Sequence, residues 1–235
     1  MQSSFDRSLL AEFSDPNTLI AGIDEVGRGA LFGSVVAATV VVPLSAIEQL
    51  IILGVNDSKK LTAIKRQQVV NPIKKLSVDW QISCGDVAEI DRINILQASL
   101  SAMYRAVTKL QVTPDICLVD GNCLIPNLDI PQKTVVKGDL RSPVIAAASI
   151  LAKVYRDAMI VDLAQKYQEY DLANNKGYPT AKHLSAIKKY GITPQHRCSF
   201  KPCQQGNANL KTDYATGSNL TNNQTVRSQK RWQLG

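Results

Sequence analysis

Two short apolar runs, residues 19–23 and 116–119, each lead straight into a carboxylate, and this repeated pattern constrains the fold more than any other feature of the chain. Aliphatic runs of that length, rich in Ile, Leu and Val, read as buried strands. Burying an unpaired charge at the end of such a strand is costly, so Asp24 and Asp120 belong where the strand opens onto solvent or a ligand. Gly27-Arg28-Gly29 and Gly33 follow the first run and permit a tight return into residues 34–42, a second strand candidate. These two strands read as an antiparallel pair. Residues 79–84 and 134–136 are further strands.

Between these strands the period changes. Ile95, Ser99, Met103, Val107 and Leu110 recur at helical spacing, so residues 95–110 read as a helix that ends before Pro114. Ser142-Pro143 supplies an N-cap followed by proline at the first helical position, opening a second helix that runs to about Tyr167. Its first turns, Ala146-Ala147-Ala148-Ser149, are small enough for a backbone to approach closely. Strands first, then helices and strands in alternation, predict an α/β fold with a mixed central sheet flanked by helices. Ligands of such sheets gather at strand C-termini, so Asp24 and Asp120 share a site if their strands are adjacent and parallel.

Residues 1–18 read as an N-terminal extension and 19–203 as the folded body. From residue 204 the chain turns rich in Asn, Gln, Ser, Thr and Gly, which cannot offset its ordering entropy, so 204–235 is expected to be a disordered tail. The formal charge of +7 favours polyanionic partners such as nucleic acid. Part of that excess lies in the tail, in Lys211, Arg227, Lys230 and Arg231 against Asp213. Five cysteines at irregular spacing suit reduced thiols better than a disulfide framework. Asp6, Arg7, Glu12 and Asp15 interrupt any apolar leader, and no apolar run approaches the roughly 20 residues that span a bilayer. A cytoplasmic protein without a membrane segment is expected.

Asp24-Glu25 ends a strand with two consecutive carboxylates. Phosphodiester hydrolysis by paired Mg²⁺ or Mn²⁺ ions requires several hard oxygen ligands converging on one point. Side chains alternate along a strand, so Glu25 is expected to be swung round as the chain leaves the strand after Asp24. Asp120-Gly121 taken alone reads most simply as a turn, and Asp157, beside Arg156 and one turn after Lys153, as a salt-bridged helix surface. Lys59, Lys60, Lys65 and Arg66 form a basic cluster that could meet phosphates or simply face water. His183 and His196 lie outside the carboxylate pattern and read as structural.

The combination resembles a known family. Asp24-Glu25-Val26-Gly27-Arg28-Gly29, Asp57-Ser58-Lys59-Lys60-Leu61, Val119-Asp120-Gly121-Asn122, Lys137-Gly138-Asp139, Ala146 to Val154 with Arg156-Asp157, Gly177-Tyr178-Pro179-Thr180 and His196-Arg197 occur in the order found in ribonuclease HII, the type 2 ribonuclease H family. The likeness covers residues 20 to about 202. It implies a ribonuclease H-like fold with a helical C-terminal extension, and an endonuclease using two Mn²⁺ or Mg²⁺ ions held by Asp24, Glu25, Asp120 and Asp157. It further implies that Gly27, Arg28, Gly29 and Tyr178 recognise the ribonucleotide–deoxyribonucleotide junction, and that Lys59 and Lys60 bind substrate. The implied substrates are RNA·DNA hybrids and duplex DNA with embedded ribonucleotides, cut to leave a 5′-phosphate and a 3′-hydroxyl. Ribonucleotide excision and primer removal are the implied roles, for a protein expected to be a monomer. The alternatives are another nuclease of the same superfold, such as a resolvase or a type 1 ribonuclease H, against which Asp24-Glu25 in tandem with Gly27-Arg28-Gly29 argues, and a non-cleaving hybrid-binding module, against which the presence of all four acidic residues argues.

Overall fold

A computed structural model describes residues 2–55 and 61–206. The proposed phosphate contacts Lys59 and Lys60, and all of the tail beyond residue 206, lie outside the described residues. Nine α-helices are described: α1 (Gln2–Leu9), α2 (Ile47–Ile52), α3 (Ala63–Leu76), α4 (Val87–Thr108), α5 (Gly138–Arg141), α6 (Pro143–Ala164), α7 (Leu172–Asn175), α8 (Ala181–Tyr190) and α9 (Lys201–Gly206). The strands are β1 (Leu19–Val26), β2 (Val35–Pro43), β3 (Asp79–Gly85), β4 (Ile116–Asp120) and β5 (Gln132–Val135). Residues 204–206, expected to begin the disordered tail, instead complete α9.

The chain divides into two compact units. Among the described residues, the first comprises 2–29 together with 34–55 and 61–158; the second comprises 30–33 and 159–206. The first unit is built on a mixed sheet in the order β3-β2-β1-β4-β5. β1 and β2 pair antiparallel, as the glycine-rich return between them predicts, and β2 pairs antiparallel with β3. β1 and β4 run parallel, as do β4 and β5. In the second unit Phe32 bridges to His196, and α8 packs against α9. No helix among the described residues is long and apolar enough to cross a membrane.

Local chemistry sets the helix boundaries. Ser142 Oγ accepts from Ile145 N at 3.3 Å, so the cap expected before Pro143 forms. α4 begins eight residues earlier than the apolar spacing predicts, because Asp86 caps it by accepting from Glu89 N at 2.7 Å. The helix then breaks at Asn94 (φ 68°), whose side chain caps the second segment at Leu96 and Gln97. The periodic stretch starting at Ile95 is therefore that second segment.

The N-terminal extension is anchored through a buried carboxylate. Ser142 Oγ donates to Asp6 Oδ2 at 3.1 Å, while Asp6 Oδ1 is buried with no partner. Burial outweighs the Ser142 bond and pushes the Asp6 carboxyl up to about 7. Between the unfolded value of 3.8 and about 7, the folded state holds a proton that the unfolded chain has lost. This contribution is complete below the unfolded value and is lost as pH rises, at up to about 1.4 kcal/mol per pH unit, levelling off above about 7. Asp6→Asn stays neutral throughout. Thermal unfolding of both proteins from pH 5 to pH 8 should show the wild type losing stability relative to the variant; parallel curves would show that Asp6 is ionised in the fold.

Candidate active site

The alternation of β1 decides which face receives each carboxylate. Ala21 and Ile23 belong to a core cluster with Leu100, Ala102, Met103 and Val107 of α4. Gly22 meets the first turn of α6 instead: a Cβ there would stand 2.2 Å from the Val144 carbonyl oxygen. Period-two alternation then hands Asp24 to the α6 face and Glu25 to the α4 face. Ser149 of α6 hydrogen-bonds the Asp24 side chain. Glu25 lines a small cavity with Ser99, Leu100, Met103 and Asp120. The expectation that the chain leaves the strand after Asp24 is corrected here. β1 continues to Val26, with Glu25 opposite Ala37 and Val26 opposite Val36, because the pairing with β2 holds the backbone extended.

Parallel pairing aligns Ile23 with Val119, so Asp24 and Asp120, one residue further on, lie side by side on adjacent strands. Asp120 Oδ1 accepts the Gly138 amide at 2.6 Å. That approach needs glycine, since a Cβ at Gly138 would lie 2.5 Å from Ile145 Cδ1 and 3.1 Å from Asp120 Oδ1. Asp24 Oδ1 accepts the Glu25 amide at 2.7 Å, and Glu25 Oε1 accepts from Arg28 Nη1 at 3.0 Å.

These groups are shifted by burial and by one another's charges. Burial above all, then the charges of Glu25 and Asp120, hold the Asp24 carboxyl well above the usual range, against the Ser149 and Glu25 amide bonds. Burial also raises Glu25, opposed by its bond to Arg28 and by the Arg28 charge. Among the described residues no three Asp, Glu, His or Cys side chains are already drawn to ligating distance. Each of the three carboxylates is instead oriented by a protein donor, as metal-binding carboxylates commonly are. A partly buried set of hard oxygen donors that repel one another when ionised suits a divalent cation such as Mg²⁺ or Mn²⁺.

Asp157 lies on α6 in an ion pair with Lys153, Oδ1 to Nζ 2.8 Å. Its neighbour Arg156 is fully buried and donates from Nε to the Ser34 carbonyl at 3.1 Å. The Arg156 side chain passes so close to Gly27 (φ 96°) that a Cβ there would stand 2.1 Å from Nε. This packing ties the Asp157 turn of α6 to the backbone just beyond Glu25. Arg28 is half-exposed and Gly29 has open space around its Cα. Tyr178 belongs to the second unit, where its amide bonds Asn175 O at 3.0 Å.

Sequence reasoning missed two supporting residues. In the sequence Ser149 stands out only for its size and, like Gly138, within a motif, although each bonds a carboxylate of the site. A hydroxyl ending a run of alanines, and a glycine two residues beyond a short strand, were the signals available.

The family model for ribonuclease HII matches residues 21–203. The ribonuclease HII of Acaryochloris marina is 59% identical over 190 residues, covering 81% of this chain and 96% of the relative. Among solved structures, the ribonuclease H2 of Pyrococcus horikoshii superposes with a TM-score of 0.70 at 27% identity, covering 81% of this chain and 98% of that one. The Mn²⁺ complex of Bst-RNase HIII shares the fold at a TM-score of 0.63 and 17% identity, covering 83% of this chain and 71% of that one. Asp24 and Asp120 side by side on parallel strands, a ribonuclease H-like sheet and a family match over most of the sequence lead to one assignment: the chain belongs to the ribonuclease HII family and is an endoribonuclease of the ribonuclease H class.

Proposed function

We propose that this endonuclease cuts on the 5′ side of single ribonucleotides embedded in duplex DNA, as well as within the RNA strand of hybrids, leaving a 5′-phosphate and a 3′-hydroxyl. The observation that carries the reading is the mutually repelling set of buried Asp24 and half-buried Glu25 and Asp120, which favours a divalent cation on these adjacent strands. In this reading Asp157 completes the ligand set, and Mg²⁺ or Mn²⁺ is the cofactor. When bound, a pair of such ions activates the attacking water and stabilises the leaving 3′ oxygen.

The protein's own groups prepare that chemistry. Ser149 and the Glu25 amide orient Asp24, Gly138 orients Asp120, and Arg28 restrains Glu25 until substrate phosphate competes for its guanidinium. Gly27, Arg28 and Gly29 present backbone that can approach a 2′-hydroxyl, the group that distinguishes RNA from DNA. Tyr178 stacks on the deoxyribose that follows, and Lys59 and Lys60 hold substrate. Ribonucleotide excision and primer removal are the roles that fit this specificity, for a protein proposed to act as a monomer in the cytoplasm.

The test is a labelled DNA duplex carrying one ribonucleotide, incubated with Mn²⁺ or Mg²⁺. A single cut 5′ of the ribonucleotide, with 3′-hydroxyl and 5′-phosphate ends, is expected. Cleavage of long hybrids alone would leave a ribonuclease H without junction recognition. Gly29→Ala sharpens the test, because an added methyl group meets nothing within 4 Å in the protein. Its stability should change by less than about 1 kcal/mol, while cleavage at the single ribonucleotide falls about tenfold or more as the methyl obstructs the backbone's approach. Unchanged cleavage would remove Gly29 from the recognition surface.

A further inference from the structure

The second unit contains a buried pair of histidines whose protons can be assigned from both ends. His183 and His196 are fully buried, with Nε2 to Nε2 3.1 Å. At one end, the Thr193 amide donates to His196 Nδ1 at 2.9 Å, so that nitrogen carries a lone pair and the proton sits on His196 Nε2. At the other, His183 Nδ1 lies 2.9 Å from the Tyr178 carbonyl, which only accepts, so His183 carries its proton on Nδ1 and offers a lone pair at Nε2. The two deductions agree. A continuous chain runs from the Thr193 amide through His196 and His183 to the Tyr178 carbonyl. Both rings are neutral in this arrangement, because an extra proton on His183, or on His196 at Nδ1, would disrupt it. Burial lowers both groups, His196 to about 3.

The pair sits among groups that fix it. Phe32 packs edge-on against His196 with centroids 5.0 Å apart, and Tyr170 packs against both histidines. The Tyr178 carbonyl also accepts the Thr180 amide at 2.8 Å, and the next residue, Pro179, restricts Tyr178 to extended backbone. Residues 30–33, which continue the chain from Gly27-Arg28-Gly29, are bonded to the same assembly. Leu31 N donates to Gly177 O at 2.8 Å, Arg197 N to Leu31 O at 2.9 Å and Gly33 N to Gln195 O at 2.8 Å.

We infer that His183 and His196 are positioning residues for ribonucleotide recognition, a proton-ordered pair that fixes the main chain of Tyr178 against the segment continuing Gly27-Arg28-Gly29. The inference rests on the reading that Tyr178 recognises the junction. Neither histidine touches substrate. Their contribution is to hold the aromatic ring at one height and angle, and a displacement of about 1 Å at such a contact costs up to about a hundredfold in rate.

The experiment compares kcat/KM on a single-ribonucleotide duplex with kcat/KM on a long hybrid for wild type, Tyr178→Ala, His183→Leu and His183→Asn, each at equal folded concentration. Asparagine places an amide N–H near the position of His183 Nδ1 and so keeps the donor to the Tyr178 carbonyl; leucine removes it. His183→Leu should lower the ratio of the two values about tenfold or more, and His183→Asn should restore it to within about threefold of wild type. Equal losses in both histidine variants, or a loss shared by both substrates that leaves the ratio unchanged, would overturn the inference. If Tyr178→Ala keeps the wild-type ratio, the recognition reading itself fails, and the inference with it. If Tyr178→Ala loses the ratio while His183→Leu keeps it, the inference alone fails. Independently of any variant, ¹⁵N-detected imidazole spectra of the wild type should show His183 as the Nδ1–H tautomer and His196 as the Nε2–H tautomer at neutral pH. The opposite tautomer, or a charged ring, at either position contradicts the chain.

Discussion

Asp120→Asn should reduce cleavage of every substrate by at least about 10³-fold, a loss of about 4 kcal/mol of transition-state stabilisation, while the protein stays folded. The carboxamide retains an oxygen to accept the Gly138 amide, so the contact that shapes the end of β4 survives. What disappears is one negative charge from a set in which Asp120 already raises both Asp24 and Glu25. Removing it lessens the repulsion between neighbouring carboxylates, so the metal-free variant should melt no lower than the metal-free wild type. Activity and thermal stability thus separate. Loss of both together would mean that Asp120 serves the fold and that its role in catalysis is unproven.

Gly22→Ala should destabilise the fold far more than Gly29→Ala does. The added Cβ would lie 2.2 Å from the Val144 carbonyl oxygen and 2.7 Å from the Ile145 amide nitrogen, both main-chain atoms at the start of α6. Backbone cannot turn aside as a flexible side chain does, so α6 must move away from the sheet. A cost of about 3 kcal/mol or more follows, lowering the melting temperature by about 6–12 °C. The shift would also draw Ser149 from Asp24 and Ile145 from Gly138, so residual activity should fall further than the folded fraction. A melting temperature within about 2 °C of wild type would show that α6 does not press on β1 as described.

How much of this was legible in the sequence differs from residue to residue. Asp24 and Asp120 announced themselves because each closes an apolar run, and their juxtaposition required only that β1 and β4 be parallel neighbours, which they are. Glu25 was legible as a carboxylate but not in its geometry. The strand stays paired through Val26, so it reaches the site from the opposite face to Asp24. Asp157 carried an ordinary surface reading, and its bond to Lys153 is what that reading predicts; only the family resemblance made it a ligand candidate. Arg156 was invisible as a core residue, because nothing in local sequence tells that a glycine 129 positions earlier leaves space for its guanidinium. The histidine pair was equally hidden. Its meaning lies in which nitrogen faces which partner, and that depends on packing rather than pattern.

The central claim, that Asp24, Glu25 and Asp120 form a divalent-metal site, is tested most directly by titrating Mn²⁺ into the substrate-free protein and following binding by calorimetry, for wild type and for the Asp24→Asn, Asp120→Asn double variant. The wild type should bind Mn²⁺ at least about tenfold more tightly than the double variant, a difference of about 1.4 kcal/mol or more, with both proteins folded throughout. Equal affinity in the two proteins would contradict the account, because the metal would then sit on other residues and the buried carboxylates would need another explanation.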